Sequence, residues 1–246
     1  MRTTFFSSLV LSLMIFSVSP VFASWNAATL EQYEEHCKKI SENYERLKAY
    51  SVLIQHSSFQ GQNENSPLAD QSEGFIKKEG IKFHSYLSGV RSVQNERIRV
   101  SVDTSQKILV ISEPEDITKN EVVSNNWKVT RKNIKGCLQK KIQDKTVYRI
   151  ECISGPVFGI EMIVNATNLI DEITILYRSE YFSEQLNKSV RPMLKIKYSQ
   201  FIENPRFEKN DFSTEKYITI DKKGQIIPTQ EYFSYKLIDT RYSTAQ

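Results

Sequence analysis

Apolar residues near the start of the chain recur at alternating steps of three and four, the spacing of one helix face. They are Leu30, Tyr33, Cys37, Ile40, Tyr44 and Leu47. Thr29 and Gln32 form a capping-box pattern, in which each side chain satisfies a free backbone N–H at the helix start. The pattern predicts a helix whose apolar stripe packs on a sheet. It is too short to favour a coiled coil.

From Tyr50 the hydrophobic period changes to two, which is typical of β-strands with one buried side. The predicted strands cover residues 50–56, 75–76, 81–87, 97–102, 107–111, 127–138, 147–153, 158–164, 169–177, 193–201, 215–220 and 230–237. Polar loops are expected at 61–71 and 113–126, and turns at 103–105, 165–168 and 221–224. Short strands in regular succession predict antiparallel hairpins instead of βαβ units.

The first 23 residues have the pattern of a secretory signal peptide. Arg2 supplies the positive charge, an apolar run follows, and Pro20 precedes a small-residue cleavage site between Ala23 and Ser24. The apolar run is shorter than the roughly 20 residues of a membrane-spanning helix, which is the alternative. We therefore expect an exported, soluble protein, periplasmic or extracellular, with no integral membrane segment after cleavage and residues 24–246 forming one β-rich domain.

The charge pattern gives little indication of a charged partner. The formal net charge is +4 and the basic residues are not clustered, so nucleic-acid binding is not predicted. Arg97 and Arg99 alternate with apolar residues, which is the pattern of a solvated strand face. A basic strip that meets an acidic partner or a lipid head group is the alternative.

No catalytic or metal-binding motif stands out in the sequence. His36, His56 and His84 lie in three separate predicted elements, and no metal-ligand, nucleophile-elbow, phosphate-loop or dinucleotide motif occurs. We predict a non-enzyme without cofactor or metal. A hydrolase with residues assembled from distant positions is the remote alternative. Asn165 and Asn187 begin glycosylation-type triplets, which ordinary turn asparagines also produce.

The three cysteines permit a disulfide if the chain is exported. A two-residue turn at Asp144-Lys145 would place Cys137 opposite Cys152 in a hairpin, close enough for a bridge. The pair would then occupy a hydrogen-bonded position, where the Cα atoms are further apart. Both the bridged and the free state are therefore open. Cys37 lies on the helix stripe and is expected to be a buried small apolar group.

A family resemblance joins these segments. A long helix with a tyrosine-rich stripe leads into "LKAYSVLIQHSSF", followed by hairpins containing "GIKFHSYLSG" and "KILVIS". Together they resemble the outer-membrane lipoprotein carrier (LolA/LolB-like) superfamily. The segment "DFSTEKYITIDKKGQIIPTQEYFSYKLIDTR" is similar to the C-terminal part of exported LolA-like proteins of Bacteroidetes type. The resemblance implies an α+β fold, mainly antiparallel β, in which a long N-terminal helix packs on a curved half-barrel sheet.

The resemblance also implies a function. The concave face of such a sheet would bind a lipid, a lipoprotein acyl chain or another apolar ligand, burying about 0.8 kcal/mol per CH₂ group. The candidate cavity residues are the alternating apolar positions Phe83, Ile98, Val100, Ile160, Met162, Ile173 and Ile175. The same residues would also make an ordinary closed core. The alternative function is accordingly a non-catalytic interaction or structural module of the cell envelope, with envelope proteins as partners.

Overall fold

The computed structural model describes residues 24–116, 133–222 and 224–241. Helix α1 spans Leu30–Arg46, and the predicted capping box is present at its start. The Thr29 hydroxyl accepts a hydrogen bond from the backbone N–H of Gln32 (3.2 Å), and the Gln32 side chain accepts one from the N–H of Thr29 (3.0 Å). The predicted helix and its cap are confirmed.

Seventeen strands lie within the described residues. They are β1 (Asn26–Ala28), β2 (Ala49–Phe59), β3 (Leu68–Glu79), β4 (Lys82–Leu87), β5 (Val90–Gln94), β6 (Arg99–Asp103), β7 (Ile108–Ser112), β8 (Ile134–Ile142), β9 (Lys145–Cys152), β10 (Val157–Val164), β11 (Ile170–Tyr177), β12 (Tyr181–Ser183), β13 (Lys188–Val190), β14 (Met193–Glu203), β15 (Ile218–Ile220), β16 (Ile226–Pro228) and β17 (Lys236–Asp239). A 3₁₀ turn covers Gln230–Tyr232.

Thirteen of these strands form one sheet in the order β1-β8-β9-β10-β11-β14-β2-β3-β4-β5-β6-β7-β17. All pairings in it are antiparallel except that of β17 with β7. The sheet is open and curved, and two small hairpins, β12-β13 and β15-β16, lie outside it. The predicted fold class, α+β with a mainly antiparallel sheet and an N-terminal helix packed on it, is confirmed.

Helix α1 covers the β8 half of the sheet on one side, which we call the helix face. Directly opposite residues of neighbouring strands share a face. Ile150 pairs with both Cys137 and Ile160, and Ile160 pairs with Ile175. All four contribute to the cluster that packs under the helix. This row continues the apolar side of the sheet across four strands.

The C-terminal segment covers the other half of the sheet on the opposite face. Ile76 of β3 packs in the cluster under α1, so its neighbour Lys77 points to the other side. The ladder then runs from Lys77 through His84 and Val93 to Val100 without a bulge. Val93 and Val100 belong to a second buried cluster, which residues of the β15-β16 hairpin and the 3₁₀ turn complete. The molecule therefore has two apolar cores on opposite faces.

Two local predictions are corrected by the structure. The loop expected at 61–71 ends earlier, because β3 begins at Leu68 and pairs with β2. The strand expected at 230–237 is a 3₁₀ turn followed by the short edge strand β17. The turn at 221–224 closes the β15-β16 hairpin, with the N–H of Gly224 donating to the carbonyl of Asp221 and Gly224 at φ +81°. The predicted signal peptide, residues 1–23, and segment 117–132 lie outside the described residues.

Candidate functional site

Four of the seven predicted cavity residues come together under helix α1. Ile160, Met162 and Ile173 are buried in the cluster there, and Ile175 packs at its edge. Ile98 and Val100 lie in the second core, on the opposite face. Phe83 is buried outside both clusters. The seven residues therefore do not line one cavity, and the group under α1 is the candidate site.

We call this group the apolar layer: the helix-face side chains of the β8 half of the sheet together with the side chains of α1 that rest on them. Its fully or nearly fully buried members are Tyr33, Ile40, Tyr44, Tyr50, Val52, Cys137, Tyr148, Ile150, Ile160, Met162, Val164, Leu169, Ile170 and Ile173. One helix of 17 residues is the element that covers this wide apolar surface. Because the stripe residues recur on one side of α1, the predicted stripe is confirmed.

Two tyrosine hydroxyls in the apolar layer lack proper hydrogen-bond partners. The hydroxyl oxygens of Tyr33 and Tyr50 are buried and reach no partner among the described residues. The Cys37 thiol lies beside Tyr33 but is a weak hydrogen-bonding group. Burial raises the pKa of both phenols above their ordinary value. An unsatisfied buried hydroxyl costs about 1–3 kcal/mol of stability. The apolar layer therefore loses stability at Tyr33 and at Tyr50.

Hydrogen bonds of His36 and Asn43 hold α1 to the sheet along one edge. His36 Nε2 lies 3.0 Å from the side-chain oxygen of Asn168, an acceptor, so Nε2 donates and Nδ1 accepts from the Tyr148 hydroxyl at 2.8 Å. Asn43 donates to the carbonyl of Thr167 at 2.9 Å. The sequence reasoning missed this role of His36. Its spacing of three from Tyr33 and four from Ile40 puts it at the edge of the apolar stripe, which was the available signal.

The helix face becomes polar beyond β2. Tyr50 pairs with Lys78, Lys78 with Phe83, Phe83 with Gln94, and Gln94 with Arg99, so all five share that face. Lys78 and Gln94 are buried, and burial lowers the pKa of the Lys78 amine. One continuous face therefore carries an apolar half under α1 and a polar half beside it.

The paired arginines form neither of the patterns expected from the sequence. Arg97 is exposed in the turn before β6. Arg99 lies over the ring of Phe83, 6.0 Å from its centroid, and pairs with Glu115 at 3.9 Å. Since only Arg97 is solvated, the two do not make a basic strip. Asn165 and Asn187 both lie in tight turns.

The predicted facing of Cys137 and Cys152 is wrong. The two-residue turn of the hairpin is Gln143-Asp144, with Gln143 at φ +56°. This register places Cys137 opposite Ile150. Cys37, Cys137 and Cys152 are free thiols. Burial raises the pKa of the Cys37 and Cys137 thiols to about 11.

Alkylation should be slow at these thiols in the folded protein. The thiolate is the nucleophile, so a pKa near 11 instead of 9.0 lowers its concentration at pH 8 about a hundredfold. Iodoacetamide kinetics followed by mass spectrometry should show Cys37 and Cys137 reacting at least that much more slowly in buffer than in urea. A protein mass lower by two hydrogens, or equal rates in both solvents, would contradict free thiols of raised pKa at Cys37 and Cys137.

No helix within the described ranges has the length and apolarity needed to cross a membrane. In the same ranges, no three His, Cys, Asp or Glu side chains come close enough together to hold a metal ion. His84 is half-buried on the opposite face, and His56 is also half-buried.

Comparison with known proteins gives distant structural likenesses. No family model matches the chain, and no curated protein matches it. An uncharacterised conserved protein from Thermus thermophilus is similar at 10% identity and a TM-score of 0.43, covering 85% of this chain and 99% of that one. The lipoprotein LppX of Mycobacterium tuberculosis matches at 9% identity and a TM-score of 0.35, covering 73% and 99%.

A LolA superfamily protein from Nitrosomonas europaea matches at 12% identity and a TM-score of 0.30, covering 74% of this chain and 97% of that one. At these identities and TM-scores, none of the three assigns an activity to this chain.

Proposed function

We propose that this chain is an exported protein that binds the acyl chain of a lipid or lipoprotein between helix α1 and the sheet residues of the apolar layer. The observation that carries the proposal is the construction of that layer. Within the described residues, one helix covers a wide apolar surface, hydrogen bonds of His36 and Asn43 fasten it along one edge, and the buried hydroxyls of Tyr33 on the helix and Tyr50 on the sheet lack strong partners. A ligand that displaces α1 gains apolar contact, and a head-group oxygen at the Lys78 end would give the Tyr50 hydroxyl an acceptor.

The free energy of apolar burial favours long acyl chains over short ones. Lifting α1 exposes its three buried side chains, Tyr33, Ile40 and Tyr44, at roughly 1.5–3 kcal/mol each. An acyl chain gains about 0.8 kcal/mol per buried CH₂ group. Chains of about six carbons therefore gain no more than the helix loses, whereas chains of about sixteen carbons exceed it. The polar half of the helix face begins beside the apolar layer, where Lys78 pairs with Tyr50. The polar head group of the ligand would bind there.

The proposal predicts a chain-length threshold. Palmitate should displace a fluorescent naphthylamine probe from the purified protein, and hexanoate at the same concentration should not. Hydrogen exchange should increase in α1 when palmitate is added, because the helix must leave the sheet. Organic extraction of freshly purified protein should release copurified lipid.

A matched pair of variants tests the location. Ile175→Gln at the edge of the apolar layer should weaken palmitate binding about tenfold, since a buried unpaired amide opposes the apolar chain. Ile220→Gln changes the same residue type where the side chain is about half exposed, and should leave binding unchanged. Circular dichroism checks that both variants fold. If no lipid is extracted and palmitate neither binds nor loosens α1, the acyl-chain proposal fails. The apolar layer is then a filled core, and an envelope interaction module becomes the better reading.

A further inference from the structure

We propose a second binding site, for the phosphate or carboxylate group of a small oxyanion, in the cleft between strands β4 and β5 and the segment 210–217 on the opposite face. The cleft has a volume of about 520 Å³. Its floor is formed by His84, Arg91 and Val93, and its walls by the C-terminal segment. It lies on the face of the sheet opposite the apolar layer and shares no residue with it.

His84 is the first group in the cleft that lacks a partner. Both of its ring nitrogens are buried, and neither makes a hydrogen bond of normal geometry within the described residues, although the backbone of Asp211 lies close enough to favour the imidazolium. The ring is held in place by an edge contact with Phe75, with the centroids 4.9 Å apart. A buried polar group without a partner is costly and calls for an explanation, such as a ligand. An oxyanion placed in the cleft would accept from an imidazole N–H.

Arg91 is the second such group. Its guanidinium lies over the ring of Tyr86, 5.2 Å from the centroid, which fixes its orientation. No ion pair of Arg91 is found within the described part of the chain. A fixed guanidinium presents a planar fork of donors that matches carboxylate or phosphate oxygens. Arg91 therefore offers its donors in the same cleft as His84 and close enough to act on the charge of the imidazole.

The remaining charges leave Arg91 uncompensated. The Asp211 carboxylate pairs with Lys77 at 2.5 Å and also accepts from the N–H of Glu208. Glu215 and Lys216 are exposed at the rim and carry opposite charges. The cleft thus has a net positive floor and a nearly neutral rim. This distribution favours a monoanion or dianion over a cation or a neutral ligand.

Binding should be linked to the protonation of His84. Burial and the nearby Arg91 charge lower the pKa of the imidazole and Lys77 acts in the same direction, whereas the backbone and the carboxylate of Asp211 partly oppose them. An anion beside the ring stabilises the imidazolium and raises that pKa. Anion affinity should therefore increase as the pH falls through the His84 pKa of the complex, and that pKa should be higher in the complex than in the free protein.

The test is a titration of the full chain with inorganic phosphate, followed by the Cε1–H resonances of the three histidines. Loss of a signal in His84→Gln identifies the His84 resonance. We expect a saturable shift at His84, with His36 and His56 unchanged. Arg91→Gln should lower the affinity roughly tenfold, which corresponds to losing a charged hydrogen bond. Arg191→Gln, which removes an exposed arginine paired with Glu180, is the matched control and should retain the affinity.

A second variant and a vesicle-binding experiment complete the test. Glu215→Gln removes a negative charge at the exposed rim and should raise the affinity about twofold, even if Arg91→Gln does not fold. Vesicles of phosphatidylglycerol in phosphatidylcholine, compared with phosphatidylcholine alone, distinguish a lipid head group from a free anion. Saturation by phosphate or by the anionic vesicles supports the site. No saturable shift in either arm, or equal affinities in Arg91→Gln and Arg191→Gln, overturns it.

Discussion

Replacing Ile40 with alanine should lower the free energy of unfolding by about 2–4 kcal/mol. The Ile40 side chain is completely buried between α1 and the sheet, and truncation of such a residue loses transfer free energy and leaves a cavity. Alanine is the better helix former, but that gain is at most about 0.7 kcal/mol and does not offset the loss. Urea denaturation monitored by circular dichroism measures the change.

Ile220→Ala is the control for this prediction. It makes the same chemical change at a side chain that is 53% exposed, so the free energy of unfolding should move by no more than about 0.5 kcal/mol. Equal losses in the two variants would mean that α1 is not packed on the sheet. A loss in Ile40→Ala alone would establish the contact on which the proposed acyl-chain site depends.

The sequence predicted α1 well because every signal for it is local. The capping pair Thr29–Gln32 and the stripe through Tyr33, Ile40 and Tyr44 are fixed by spacing within one element. Hydrogen bonds and side-chain periodicity within a helix do not depend on distant strands. The same holds for the turn at Asp103, whose carboxylate accepts from the N–H groups of Ser105 and Gln106.

The candidate site was predicted only in part. Alternation of apolar and polar residues shows that a strand has one buried side, but not which face of the sheet that side belongs to. Val100 and Ile160 both alternate cleanly with polar neighbours, yet they lie on opposite sides of one sheet. The side on which a strand buries its apolar residues depends on what covers it. Here α1 covers one face and the C-terminal segment covers the other. That choice is a long-range property of the chain, which no local window contains.

The cysteine pairing failed for a related reason. Moving the two-residue turn by a single position, from Asp144-Lys145 to Gln143-Asp144, shifts every facing pair of the hairpin by two residues. Cys137 then faces Ile150 instead of Cys152. Gln143 adopts a positive φ, which is uncommon for a residue other than glycine, asparagine or aspartate. The sequence therefore contained no strong signal for the correct turn.

The second core yields the second large effect. Ile111→Ala should cost about 2–4 kcal/mol, because Ile111 of β7 is completely buried against the C-terminal segment. Its effect should also be local to one face: amide exchange should accelerate over residues 217–235 while α1 keeps its protection. Elements that share a packing cluster open together, and the two clusters lie on opposite sides of the sheet.

Ile108→Ala in the same strand is the control. It shows whether the loss of stability in Ile111→Ala comes from burial in the second core or from any truncation in β7. Ile108 is an odd number of residues from Ile111 and only partly buried, so it lies on the helix face and its truncation should cost less. Amide hydrogen exchange, measured by mass spectrometry in both variants, shows whether the C-terminal segment loosens while α1 keeps its protection. If Ile111→Ala loosens α1 as much as the C-terminal segment, the two cores form one cooperative unit, and the oxyanion cleft and the acyl-chain site would be energetically coupled across the sheet.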